Sequence, residues 1–162
     1  MSAEPFIRQA VETIIYNGVL ALDERRYEAF LADTTPDFRY RITAFSPEIR
    51  QAMTWLEHDR NGLNALFELL PKHHVNGAVW LRHAVLYSVH REYDEVRTVT
   101  SLAIHHTVID AADAHVEGGS SRIFAVGRYH DRFRLWNGNW LLADREARLD
   151  TRQLGLGSHH IV

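Results

Sequence analysis

The sequence predicts an α+β fold: N-terminal helices packed inside a strongly curved antiparallel sheet, closing into a cone. Three observations predict it. Apolar residues recur at three- and four-residue spacing through the early part of the chain. From His83 onward the apolar period changes to two, in stretches rich in Val, Thr and Ile. Asn137-Gly138, between two such stretches, marks a tight hairpin, because a type I′ turn needs two positive φ angles. Helices first and one large sheet afterwards is the order of an α+β domain. A long sheet twists, and so curls over whatever packs on it.

Pro5 suits the first turn of a helix, where its missing N–H costs little. Phe6, Ala10 and Ile14, with Val11 and Ile15 beside them, form one stripe, and Leu20 and Leu22 continue it past Gly18. Asp23 to Ala32 reads as a short second helix with Tyr27, Phe30 and Leu31 inward. Thr34-Thr35-Pro36-Asp37 reads as a stop and turn. Phe38, Tyr40 and Ile42 alternate with Arg39 and Arg41, which describes a strand with one buried face. Ala44 to Trp55 reads as irregular, turning at Ser46-Pro47. A third helix follows from near His58-Asp59, with Leu63, Leu66, Phe67 and Leu70 inward, and Pro71 is expected to end it. Val85, Tyr87 and Val89 then alternate with Leu86, Ser88 and His90. A long strand is expected from about Val96 to Ile109, a turn at Glu117-Gly118-Gly119, a strand from about Arg122 to Trp136, and a last one from Asn139 to about Leu149. No internal repeat or linker interrupts this order, so residues 1–162 are expected to form one domain.

The composition sets limits. A chain of 162 residues, 46% of them hydrophobic, can bury a core without covalent staples. With no cysteine, it has no disulfide, no thiolate zinc site and no Cys-ligated iron–sulfur cluster of its own. That composition fits a reducing compartment. The net charge is −3 with both signs interspersed, and there is no basic block of the kind that binds nucleic acid. No apolar run reaches membrane-spanning length, and residues 1–10 lack a signal-peptide core. The expectation is a cytoplasmic protein with no nucleic-acid or membrane partner.

The eleven histidines invite a metal reading. His90-Arg91-Glu92 puts a His and a carboxylate on one face of a strand, and a distant second His would complete a mononuclear iron site. The same pair equally suits a solvated sheet edge. His105-His106 points to opposite faces and cannot chelate one ion. His73-His74 follows the third helix, and His159-His160 lies in the tail. Tyr40, Asp59, His83 and His106 are the candidates for an acid–base pocket inside the cone, against a reading in which they fill or rim a packed core. There is no nucleophile elbow and no phosphate loop. Gly118-Gly119 and Gly155-Leu156-Gly157 are turn and tail glycines. Trp136 and Trp140 flank the Asn137-Gly138 turn, while Arg128, Arg132 and Arg134 share one strand face and Arg145 has the opposite parity to Arg148. Arg and Trp are enriched at interfaces; the other reading, which composition alone favours, is a charged sheet face in water.

Four segments together resemble a known family. Leu22-Asp23-Glu24-Arg25-Arg26-Tyr27-Glu28-Ala29-Phe30-Leu31 is similar to the LLDxRRYxEWL stretch of small (β) subunits of Rieske-type aromatic-ring-hydroxylating oxygenases, with Phe30 where many relatives carry Trp. Pro36-Asp37-Phe38-Arg39-Tyr40 resembles the strand that follows there. Gly127-Arg128-Tyr129-His130-Asp131-Arg132-Phe133-Arg134 resembles GRYxDxLR. Asn137-Gly138-Asn139-Trp140 with Arg145-Glu146-Ala147-Arg148-Leu149-Asp150 resembles DGxWxIxxRxVxLD. Residues 41–60 look most like small subunits acting on aromatic carboxylates, such as salicylate 5-hydroxylase and terephthalate or anthranilate dioxygenases.

The resemblance implies an NTF2-like cone and a structural role without catalysis of its own. It implies a large (α) subunit holding a Rieske [2Fe-2S] cluster and a mononuclear Fe(II), with NAD(P)H supplied through a reductase and ferredoxin. It also implies an α3β3 hexamer with β–β trimer contacts, and no cofactor or metal in this chain. Arg50, Trp55, Arg128, Arg132, Arg134, Trp136, Trp140, Arg148 and Asp150, with the tail to Val162, are the expected interface. Two alternatives remain open at this point: a cofactor-free pocket enzyme of the isomerase or dehydratase kind, and a small-ligand-binding module.

Overall fold

The computed structural model describes residues 4–73, 78–109, 116, 118–154 and 161–162, with the side chains of residues 72 and 73 excepted. Glu117, His74, the glycines at 155 and 157, and the tail histidines at 159 and 160 lie outside the described residues.

Helix α1 spans Glu4–Asp23 and buries Ile7, Val11, Ile15, Val19 and Leu22. Val11, Ile15 and Leu22 of the expected stripe are among them, but Phe6 is 65% exposed and Leu20 also faces outward. The 3.6-residue period admits both stripes, and contact with the sheet selects one of them. Arg25, at φ 58°, ends the helix just past Leu22, where the expected stripe also stops. Its N–H donates to Leu22 O and that of Arg26 to Ala21 O, the paired bonds of a Schellman cap with arginine where glycine is usual. Asp23 therefore closes α1, and α2 is only the six residues Tyr27–Ala32.

β1 spans Thr34–Ser46, so the expected turn at Thr34–Asp37 is strand. Pro36 is tolerated there because the ladder on β6 skips from Thr34 to Arg39, and pairing with β2 starts only at Arg39. The expected irregular stretch also contains a strand, β2, Gln51–Asp59. Its alternation is obscured by a bulge: Ile42 pairs Leu56 and Thr43 pairs Thr54, leaving Trp55 extra. Helix α3, Arg60–His73, starts where Asp59 Oδ1 accepts the Gly62 N–H at 2.8 Å. It runs two residues past Pro71, whose ring falls in the last turn and removes a single bond.

The meander follows as β3 (Val79–Glu92), β4 (Glu95–Thr107), β5 (Ser121–Trp136) and β6 (Asn139–Leu149). β3 thus begins four residues before His83. Asn137 and Gly138 have φ of 48° and 81°, as a type I′ hairpin requires. The six-stranded order is β2-β1-β6-β5-β4-β3. Every neighbouring pair is antiparallel except β1 and β6, which run parallel. The meander returns alongside the first strand and places β1 inside the sheet. Bulges at Tyr87, Phe124 and Ala143 break the registers of β3–β4, β4–β5 and β5–β6 and add to the curl. β5 and β6 approach so closely at Gly127 that a Cβ there would lie 2.2 Å from Arg148 O. The α1 stripe, Phe30, Leu63 and Phe67 fill the concave side against Phe38, Ile42, Leu102 and Phe133.

Candidate functional site inside and outside the cone

The inner face of the sheet carries a row of polar residues. Register places Thr98 of β4 beside Asp131 of β5, Asp131 beside Arg145 of β6, and Arg145 beside Tyr40 of β1. Asp131 and Arg145 are fully enclosed, with side chains 0% and 1% exposed. Arg145 donates from Nε and Nη2 to the two Asp131 oxygens at 2.8 and 2.7 Å, a forked, charge-assisted pair. Its guanidinium carbon lies 3.9 Å from the centre of the Tyr129 ring. Burial alone would push Arg145 toward deprotonation; Asp131 outweighs it and holds the charge more firmly than usual. Burial also raises Tyr129 and Tyr40, so both phenols stay neutral.

Above this row sit the last two residues of the sequence. Ile161 and Val162 are 4% and 0% exposed. The Tyr40 hydroxyl donates to Val162 O at 2.6 Å and accepts its N–H at 3.0 Å. Arg82 of β3 donates from Nη2 to Ile161 O, and from Nη1 to Asp23 at the end of α1. These residues form a plug of polypeptide inside the cone, and Ile161 and Val162 are therefore not available to a partner. The cavity beside the plug measures only about 30 Å³, room for little more than one water molecule.

Of the expected pocket residues, Tyr40 alone joins this cluster. Asp59 caps α3. His83 is exposed on the outer sheet face, where its ring meets that of His105 at 4.9 Å. His106 lies on the opposite side against Trp80, at 4.7 Å. His90 and Glu92 do come within 3.6 Å, but in solvent, and Glu92 also pairs with Arg97. Among the described residues no three His, Asp or Glu side chains gather to hold a metal ion. The donor set for iron or an iron–sulfur cluster is not assembled among them. The sequence pointed to Arg145 only through its parity; Arg82, Asp23 and the tail were missed because tertiary packing, not spacing, unites them.

The expected interface residues lie outside. Arg128, Arg132 and Arg134 share the outer face of β5, each near a carboxylate: Asp150 at 4.0 Å, Glu95 at 2.7 Å and Asp37 at 2.6 Å. Arg134 also lies 5.5 Å from the centre of the Trp136 ring. Arg148 pairs with Glu146 at 3.1 Å. Arg50 is exposed in the β1–β2 turn at φ 52°. Trp55 and Trp140 are half-buried against the core, and Trp140 lines a groove beside Phe6 and Ile14. A second surface was not foreseen. Val79, Leu81, Val85 and Tyr87 on the outer face of β3 are 48–60% exposed, and Ile123 of β5 adds to them. β3 is also an edge strand. The signal was present, since odd-numbered apolar residues run along β3, but inner and outer faces were indistinguishable by alternation alone.

Helices enclosed by a curved six-stranded sheet define an NTF2-like, α+β protein. A solved NTF2-like protein with a cystatin-like fold from Novosphingobium aromaticivorans superposes with a TM-score of 0.64 at 16% identity, over 90% of this chain and 83% of that one. A chain from the same organism, assigned as the β subunit of an aromatic-ring-hydroxylating dioxygenase, superposes with a TM-score of 0.74 at 22% identity, covering 94% of each. In sequence, the chain is 38% identical to the methanesulfonate monooxygenase hydroxylase β subunit of Methylosulfonomonas methylovora, over 93% of this chain and 84% of that protein. It is 26% identical to the 2-aminobenzenesulfonate 2,3-dioxygenase β subunit of an Alcaligenes species, over 93% and 95%. No protein-family model matches. The chain belongs to the small (β) subunits of Rieske-type ring-hydroxylating oxygenases. It is the non-catalytic kind of oxygenase subunit, and no helix of the described residues is long and apolar enough to cross a membrane. The carboxylate substrates expected from residues 41–60 have no counterpart in these relatives, both of which are named for sulfonates.

Proposed function

We propose that this chain is the structural base of a cytoplasmic oxygenase complex whose large subunit carries a Rieske cluster and a mononuclear iron, and whose substrate is a small organic sulfonate. Methanesulfonate and aminobenzenesulfonate in the relatives' names support a sulfonate over a carboxylate. Three small and three large subunits make the simplest assembly, with electrons reaching the complex from NAD(P)H through a reductase. The observation that carries the structural role is the outward face of β3. Apolar side chains fill the cone interior around one buried ion pair and the chain's own tail, yet β3 turns a second apolar face outward. An exposed apolar face beside an open sheet edge is a surface for association. The Arg/Trp end of the β5–β6 hairpin is the second contact. Holding large subunits in register contributes to rate because orientation is part of catalysis.

Co-purification tests this. A larger, iron-containing polypeptide is expected in equal amount. Leu81→Asp with Tyr87→Asp should release it while the chain keeps its far-UV spectrum. A monodisperse monomer, with large-subunit activity indifferent to its omission, would overturn the reading.

A further inference from the structure

The end of the cone holds an arginine that is only partly used. Arg82 is 6% exposed as a side chain. Asp23 fixes it twice, accepting from Nη1 at 2.5 Å and from the Arg82 backbone N–H at 3.0 Å. The opposite edge of the guanidinium, Nε with Nη2, is the pair of parallel donors that fits a carboxylate or sulfonate. Here Nη2 takes the single carbonyl oxygen of Ile161, and Nε, although buried, has no hydrogen-bond partner among the described residues. A buried charged donor left unsatisfied is costly.

The cavity beside Arg82 is lined by Leu22, Tyr27, Leu70 and Trp80, by Ile161, and by Arg25 and Arg82 against the one acid Asp23. Its lining is apolar and aromatic with a net positive charge, the chemistry that receives an organic acid. The space of about 30 Å³ is too small for one while Ile161 is seated. Ligand and tail therefore compete. An oxyanion brings two acceptor oxygens that share a negative charge, where Ile161 brings one neutral carbonyl.

We propose that this cleft is a binding site for a small aromatic oxyanion, which grips the Nε–Nη2 edge of Arg82 and displaces Ile161 and Val162 from the cone. The tail is then the site's internal competitor, held by Tyr40. The inference is independent of the subunit role, since it concerns the inside of the cone and not its outer faces.

The test is calorimetric titration of the full chain, in the assembly in which it purifies, with benzoate, benzenesulfonate and toluene. Hydrogen exchange of the C-terminal peptide is followed in parallel. Saturable binding of one or both acids is expected, with faster exchange at Ile161 and Val162, and none of toluene. The acid whose affinity falls with Arg82→Lys identifies the head group, since binding in the large subunit's own site would not respond to that change. Arg82→Lys keeps the charge but loses the fork, and should weaken binding by about tenfold or more. Removing residues 161–162 should tighten it; if that variant fails to fold, Tyr40→Phe, which loosens only the tail's hydroxyl contacts, serves instead. The proposal is overturned if the wild type and the tail-loosened variant both bind neither acid, if Arg82→Lys leaves affinity unchanged, or if toluene binds as well as the acids.

Discussion

Removing the Asp131 carboxylate is the most discriminating perturbation of the fold. Asp131→Ala leaves the Arg145 guanidinium charged, at 1% exposure, against the Tyr129 ring. Two hydrogen bonds, at 2.8 and 2.7 Å, are lost together. With charge centres about 4 Å apart and an effective dielectric near 20, the lost attraction is roughly 4 kcal/mol. Breaking one side of a buried pair typically costs about 3–5 kcal/mol, which agrees. In a chain of this size that lowers the midpoint of thermal unfolding by roughly 10 °C. The assay is equilibrium urea unfolding followed by circular dichroism, with Arg148→Ala as the control. Arg148 is 56% exposed, so losing its pair with Glu146 should cost under about 1 kcal/mol. Replacing both buried partners, Asp131→Leu with Arg145→Met, should recover much of the loss, because an apolar pair has no stranded charge. A single-variant cost no larger than that of the Arg148 control would refute the reasoning, and so would a double variant worse than the sum of its parts.

Three further outcomes are expected. Gly127→Ala should destabilise by about 1–3 kcal/mol or more in the same unfolding assay, since its Cβ would meet backbone of β6. Arg152 and Ser46 hold the exposed Glu48 carboxyl down to about 2, below its ordinary 4.5; its folded value is depressed, so the contact's contribution is present above 4.5 and lost as pH falls toward 2. Carboxyl NMR titration of Arg152→Ala should show Glu48 returning toward 4.5. His106 and His130 titrate below the ordinary 6.5, mainly through burial, with Arg122 and Arg148 respectively adding to it. The unfolded chain takes up these protons first, so stability should decline as pH falls through 6.5, and His130→Gln should flatten that decline.

Much of the fold was legible because alternation and helical spacing are local properties. β4, β5 and β6 and the Asn137-Gly138 turn stand close to where their side chains place them. The family, too, was legible, through four motifs in order. β2 was not, because its bulge at Trp55 breaks the period that identifies a strand. The start of α2 was not, because Arg25 takes the left-handed position where glycine would have marked the break before Tyr27. The site was legible least of all. Tyr40 was named, but its partners are Val162, 122 residues away, and a row of residues brought together by sheet register.

The sequence by itself determined the class: helices before a meander, no cysteine ligands, and an inner face that alternates with an outer one. It also set Arg145 and Arg148 on opposite sides, since an odd separation in a strand without a bulge changes face. Only the tertiary structure decided which side is inside. Register sets Asp131 beside Arg145 and Phe30 of α2 packs over the pair, while Arg82 reaches both Asp23 and Ile161. The physical reason is that alternation defines two faces without ranking them. The ranking comes from what packs on each, and here the helices and the tail took one face and left the apolar side of β3 open.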